Sequence, residues 1–190
     1  MRRLTNATLD NILKMSQTPA NYWGEFILDI PVGIFLIYEG SQNADSHPVQ
    51  VIVTILIGLF LFSFIEYFFH RWLFHGSMRI MVEGHSEHHA NPLGYSGLPF
   101  FLPALVLMGL VGVFMLLLPM NYSFLLVGTI ALGYVAYGLS HFIIHHFRFR
   151  PGLARRWAAN HHIHHFHPET NFGVTTPLWD IVFKTLYVRK

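Results

Sequence analysis

The sequence predicts an all-α integral membrane protein: four transmembrane helices in two hairpins, with a cytoplasmic helical cap that holds a histidine-rich dimetal site. Three observations predict it. Apolar residues make up 53% of the 190 residues and charged residues only 12%, against roughly 25% charged in a soluble domain. The apolar residues gather in runs close to the length of a bilayer crossing. All 12 lysines and arginines fall within residues 1–14, 71–79 and 148–190, leaving the predicted loops 40–49 and 119–121 with none. The positive-inside rule then places both termini and every clustered histidine on the cytoplasmic side, with His47 alone on the other.

Each element follows from its residues. Residues 1–21 form a polar, mildly basic segment beginning Met1-Arg2-Arg3. It is not a secretory signal, because the first apolar run starts only near Phe26 and no small-residue cleavage site follows it. Trp23–Tyr38 is the first membrane helix, short against the roughly 20 residues of a span, broken by Glu25 and Asp29 and kinked near Pro31. Gly40–Pro48 is a polar turn. Val51–Phe69 is a strong span interrupted by Ser63 and Glu66. Leu98–Leu118 is the third, with Pro103 in its first turns, and Pro119-Met120-Asn121 turns tightly into a fourth from Tyr122 to about Phe142. Pro151-Gly152 ends the helix that carries His145, and the chain from Leu153 is amphipathic and non-spanning. The length suits one domain over residues 1–190.

Composition also excludes chemistries. There is no cysteine, so disulfides, thiolate metal sites and a cysteine nucleophile are ruled out. A formal charge of +2 on an apolar chain is not that of a nucleic-acid binder. The 14 histidines, 13 of them between His70 and His167, exceed what packing requires.

Neutral imidazole is a common nitrogen ligand for iron, zinc and copper, and residues three and four apart share a helix face. His85-x-x-His88-His89 and His161-x-x-His164-His165 each set three rings over one turn. His141 and His145 are four apart, with His146 beside them. His70 and His75 are five apart, a poor spacing for a straight helix that works if the helix ends or loosens there, as Gly76 suggests. A lone interfacial histidine is more often a polar surface residue than a ligand, which suits His47 but not four clusters. Ten imidazoles are too many for one ion of coordination number four to six, and two ions with about five nitrogens each is the natural partition.

Carboxylates near ligating histidines often accept the second ring N–H and fix the tautomer. Glu66, one turn before His70 and costly inside a membrane, fits that role, and Glu87 and Asp180 are candidates for it. Glu83 is a further carboxylate near the histidines, and Glu87, between two ligands, reads equally as solvent-exposed. Arg148, Arg150, Arg155 and Arg156 read as the positive-inside anchor, with a docking patch for an acidic electron donor or lipid headgroups as the sharper reading.

Together these residues resemble the fatty acid hydroxylase/sterol desaturase superfamily of membrane di-iron enzymes, closest to its fatty acid 2-hydroxylase branch. Phe64-Ile-Glu-Tyr-x-x-His-Arg-x-Leu-Phe-His75 is similar to the first box of that branch and His85-x-x-His88-His89 to the second. Leu132-Gly-Tyr-Val-x-Tyr137 with His141-x-x-x-His145-His146 resembles the third, and His161-x-x-His164-His165 the fourth. Asn171-Phe-Gly-Val-Thr-Thr-Pro-Leu-Trp-Asp180 resembles the C-terminal signature. The likeness covers roughly residues 25–187.

Carried over position by position, the resemblance implies ten metal ligands: His70, His75, His85, His88, His89, His141, His145, His161, His164 and His165. His47, His146, His162 and His167 are not carried over. It further implies two iron ions, dioxygen, a lipid or fatty acyl substrate hydroxylated at the 2-position, and a separate electron donor of cytochrome-b5 or ferredoxin/reductase type. No side chain acts as a catalytic base apart from the ligands. Zinc, bound by the same imidazoles, could occupy isolated protein but cannot change redox state. The expected location is the bacterial inner membrane or the endoplasmic reticulum. Aromatics such as Tyr67, Trp72, Phe100 and Trp179 are candidates to line an acyl channel.

Two departures stand out. Residues 1–21 cannot hold the cytochrome-b5-type domain common in eukaryotic members, and the interval from His75 to His85 is short. Carotenoid ring hydroxylases of the same superfamily, similar in length and in their His-Arg-x-x-x-His start, are the alternative. A metal transporter would spread its histidines across the membrane, and a zinc hydrolase would be overfilled by ten.

Overall fold

The computed structural model describes residues 11, 12, 14–42 and 47–189. The first ten residues of the predicted polar segment and positions 43–46 of the predicted 40–49 loop lie outside the described residues. Those described form helices and connecting turns without a β-strand: α1 Pro19–Ser41, α2 Pro48–Phe68 running straight into a π-helical turn Phe69–Phe74, α3 Arg79–Ala90, α4 Leu102–Met115, α5 Met120–His146, α6 Leu153–Phe166 and α7 Leu178–Val182.

Local chemistry sets the boundaries. Thr18 caps α1, its hydroxyl accepting the Asn21 N–H at 3.2 Å, and Pro19 occupies the first helical position, where its missing N–H costs nothing. The helix continues through Pro31 and is longer than its apolar stretch. α5 ends at His146, ahead of the predicted stop at Pro151-Gly152. Gly152 precedes α6 with φ 150°, a conformation that suits glycine.

Among the described residues, three helices are long and apolar enough to cross a membrane: Pro19–Ser41, Pro48–Phe74 and Met120–His146. The third predicted span, Leu98–Leu118, falls short. α4 has 14 residues, or about 21 Å at 1.5 Å per residue, against a hydrocarbon core of about 30 Å. Leu98–Phe101 turns before it. After Met115 the chain tightens, the N–H of Leu116 bonding to Val113 and that of Leu117 to Phe114, and Pro119 disfavours helical geometry at Leu118. Sequence hydropathy registers the apolar residues on both sides of these turns but not the turns.

The chain divides into two compact units: residues up to Phe62 with Tyr95–Val135, and Ser63–Gly94 with the residues from Ala136 on. In the first, small residues bring helices together, as expected where lipid offers no hydrophobic drive for helix association. A Cβ on Gly128 of α5 would lie 2.9 Å from the Gly33 carbonyl oxygen and the Ile37 nitrogen of α1. On its other neighbour, a Cβ on Gly133 would meet the Phe62 ring of α2 at 2.4 Å. Asn21 ties α1 to the loop before α4, donating to Leu98 O at 2.6 Å and accepting from Phe100 N at 2.9 Å. Glu25 and Asp29 are buried along α1, and Tyr134 donates to Glu25 at 3.0 Å.

The second unit holds the histidines. Ile144, Ala158 and Val174 form an apolar cluster backed by Tyr137, Phe149 and Trp157, and the Trp157 indole donates to Val174 O at 2.7 Å. This ties α6 to the segment that follows it.

Candidate metal centre

In an α-helix, residues five apart lie about 140° apart around the axis. The π turn removes that mismatch. The His75 N–H bonds to the His70 carbonyl at 3.2 Å, an i→i+5 closure that widens the turn and turns both rings to one side. His141 and His145 need no such device, since four residues on α5 already share a face.

The two three-histidine motifs divide in a crossed manner. One group comprises His70, His75, His85, His89 and His164, and the other His88, His141, His145, His161 and His165; within each, one ligand atom per residue lies within 4.8 Å of all the others. α3 gives its four-apart pair, His85 and His89, to the first group and His88 to the second. α6 does the reverse, giving His161 and His165 to the second and His164 to the first. Each group is thus a pair from a long helix, a pair from one of the short helices α3 and α6, and a single ring from the other.

The facing atoms are Nε2. In the first group, separations are 3.1 Å for His70–His85 and 3.0 Å for His75–His85, His75–His164 and His85–His89. In the second they are 3.0 Å for His145–His161 and 3.2 Å for His88–His165 and His161–His165. A metal at about 2.1 Å from each imidazole nitrogen sets ligands at right angles about 3.0 Å apart. Tetrahedral ligands would be about 3.4 Å apart on the same bond length. The observed edges lie nearer the first value, so each group of five nitrogens would suit an ion with more than four ligands. His141 Nε2 is buried with no hydrogen-bond partner, as a lone pair meant for a cation would be.

The tautomers agree. Nδ1 of His70 lies 2.5 Å from the Phe172 carbonyl and Nδ1 of His164 is 2.7 Å from that of Thr170. A carbonyl only accepts, so both rings carry their proton on Nδ1 and aim an Nε2 lone pair inward. Two lone pairs facing each other at 3 Å repel unless a cation lies between them. Burial, reinforced by neighbouring imidazoles, pushes the pKa of His75 down to about 4 and those of His164 and His165 to about 3. His85 and His161 are held well below the usual range for the same reasons. These rings are neutral at pH 7, the form that binds metal.

The carboxylates grip backbone. Glu66 accepts the N–H groups of Val174 (2.6 Å) and Thr175 (2.9 Å) and the Thr175 hydroxyl. Asp180 accepts those of Phe172 and Gly173, each at 2.8 Å. Glu87 is exposed, and Glu83 pairs with Arg79 at 2.6 Å. His146 and His162 are exposed, and His167 stacks on Tyr187. Of the channel candidates, Tyr67 is wholly buried and hydrogen-bonded to Thr185, which makes it core. Trp179 donates to Ser63 at 3.0 Å, Trp72 is exposed, and Phe100 belongs to the first unit. Sequence reasoning missed the Thr170 and Phe172 carbonyls. The available signal was Asn171, whose φ of 54° is a left-handed conformation that asparagine tolerates.

The family model described as Fatty acid hydroxylase matches residues 55–185, a stretch that includes both histidine groups and the loop behind them. This chain belongs to the fatty acid hydroxylase family. Among relatives, a fatty acid 2-hydroxylase of Macaca fascicularis is 36% identical over 149 residues, covering 71% of this chain and 40% of that protein. A dihydroceramide fatty acyl 2-hydroxylase of Arabidopsis thaliana is 27% identical over 180 residues, covering 89% of this chain and 75% of that protein. The solved structure of full-length Scs7p, in which only the hydroxylase domain is visible, superposes with a TM-score of 0.78 at 24% identity over 92% of this chain and 69% of that one, which speaks for the fold of this fatty acid hydroxylase family member.

Proposed function

We propose that this protein is a membrane-embedded di-iron hydroxylase that inserts a hydroxyl group into a lipid acyl chain at the 2-position. The observation that carries the proposal is the pair of five-histidine groups, whose Nε2 edges of 3.0–3.2 Å would suit one metal ion each. The 2-hydroxylase names of the relatives support the substrate class.

The bound irons supply activation of dioxygen, chemistry that acid–base side chains cannot perform on an unactivated C–H bond. One oxygen atom enters the C–H bond; the other leaves as water with two protons and two electrons from a separate donor of cytochrome-b5 or ferredoxin/reductase type. The chain itself holds ten neutral imidazoles at fixed angles, fixes two tautomers through the Phe172 and Thr170 carbonyls, and keeps water from His70, His161 and His164, which are almost wholly buried. Zinc in the same sites would leave the protein inactive.

Membrane placement follows from length. Pro48–Phe74 and Met120–His146 have 27 residues each, about 40 Å at helical rise against a core of about 30 Å. The excess can carry His70, His75, His141 and His145 beyond the hydrocarbon. The one-sided lysines and arginines support a cytoplasmic position for that end, at a bacterial inner membrane or the endoplasmic reticulum.

The test is expression in a host that lacks 2-hydroxylated lipids, together with a reductase system. Wild type should yield 2-hydroxy acyl chains and His88→Ala should not. Hydroxylated β-carotene in a carotenoid-producing host, with unchanged acyl chains, would establish a ring hydroxylase instead. Metal uptake across the membrane without any oxidised product would point to a transporter.

A further inference from the structure

The loop behind His70 is held by a directed chain of hydrogen bonds that reaches Arg71. Asp180, fully buried, accepts three bonds: Phe172 N–H at 2.8 Å, Gly173 N–H at 2.8 Å and the Thr185 hydroxyl at 2.7 Å. Thr185 has one hydroxyl proton. Since the carboxylate takes it, Thr185 must accept from the Tyr67 hydroxyl 2.9 Å away. Tyr67 in turn accepts from Arg71 Nη1 at 2.9 Å. The direction is therefore fixed from Arg71 through Tyr67 and Thr185 to Asp180. From Asp180 one peptide unit leads to the Phe172 carbonyl and the His70 ring. The approach is close: a Cβ on Gly173 would lie 3.0 Å from Asp180 Oδ2 and 2.1 Å from the Thr176 carbonyl oxygen. The Arg71 guanidinium also lies 4.9 Å from the Trp72 ring and 5.8 Å from that of Phe172, which fixes the start of the chain.

The second group has no counterpart. Among the described residues no ring nitrogen of His88, His141, His145, His161 or His165 bonds to a backbone carbonyl, and His161 Nδ1 is buried without a partner. A ring that donates its second N–H to a fixed acceptor is better oriented and more basic at the other nitrogen.

We propose that Asp180 is a positioning residue that makes the two metal positions unequal, holding His70 through the Phe172 carbonyl so that the first group binds its ion more tightly than the second. The inference rests on both histidine groups being metal sites, and the test separates the two ideas. Purified, metal-stripped full chain in detergent is titrated with cobalt(II), following bound metal by dialysis and ligand-field absorption by spectroscopy. Wild type should bind two ions in two affinity classes, and His75→Ala identifies the class that belongs to the first group. Asp180→Asn turns an acceptor into a donor facing N–H groups. It should weaken that class 10–100-fold, shift its absorption bands and leave the other class unchanged. Thr185→Val, which removes only the link to Tyr67, should act in the same class with a smaller factor, and it decides the matter if Asp180→Asn does not fold. Equal affinities in wild type, no change in either class, or equal weakening of both would overturn the inference. A wild type that binds no cobalt would overturn the metal reading itself.

Discussion

The backbone N–H of His75 reaches the carbonyl of His70, 3.2 Å away and five residues back. That bond is the reason two histidines five residues apart can face the same group of rings. A π turn amounts to one extra residue in an α-helix, commonly found at functional sites.

The first prediction tests that geometry by length. Deleting Leu73 leaves the two histidines four apart, about 40° around an α-helix, and should preserve two metals per chain. Inserting an alanine after Leu73 makes them six apart, about 240° around, and should cost one metal. Elemental analysis of the purified variants decides; equal metal content in the two would refute the account.

The second concerns helix packing. Gly128→Ala would press a methyl group against α1 backbone, an overpacking worth about 1–3 kcal/mol, and should lower the melting temperature. Gly109→Ala on α4 meets nothing within 4 Å and should be neutral, or stabilising by up to about 1 kcal/mol through helix propensity. Thermal denaturation in one detergent compares them, and a Gly109 variant as damaged as the Gly128 variant would argue against this packing.

The third is pH dependence of the metal-free protein. The rings of His75, His164 and His165 titrate near 4, 3 and 3 when folded and near 6.5 when unfolded. Below about pH 6.5 the unfolded chain binds more protons than the folded one, so stability must fall as pH falls. The loss continues down to about pH 4 before the first of these rings protonates in the folded state. Melting temperatures at pH 7.5, 6 and 5 should decrease in that order. A metal-free protein equally stable at all three would contradict the buried neutral rings.

The fourth is topology. The chain has no cysteine, so single cysteines report cleanly. Gln42→Cys and Arg156→Cys should react with a membrane-impermeant maleimide from opposite sides of intact cells or vesicles. Labelling of both from one side would rule out the proposed orientation.

Much of the site was legible because its chemistry resides in side chains with a helical period. His85/His89, His141/His145 and His161/His165 announce themselves by four-residue spacing. How the ten divide was not legible. His88 lies beside His89 in sequence yet joins the other group, since neighbours on a helix are about 100° apart and only the arrangement of α3 and α6 decides where each points. What Glu66 grips is hidden in the sequence for a related reason. The sequence shows it one turn from His70, but its oxygens meet the backbone of Val174 and Thr175, more than a hundred positions away. The Thr170 and Phe172 carbonyls are not legible in themselves, because every residue has a carbonyl, and Asn171 between them is the hint that the backbone turns there. For α4, hydropathy registers apolar residues whether or not they are helical, so the turns at either end were invisible.

The loop clamped by Glu66 and Asp180 has a consequence for biosynthesis. Every histidine of both groups, from His70 to His165, leaves the ribosome before Asp180 does. Helices α1, α2 and α5 can therefore enter the membrane, and all ten rings can be present, while His70 and His164 still lack the carbonyls that orient them. Nascent chains arrested between His165 and Asp180 should be inserted yet load metal poorly into the first group. Metal loading at the first group would then follow entry of the helices that carry it.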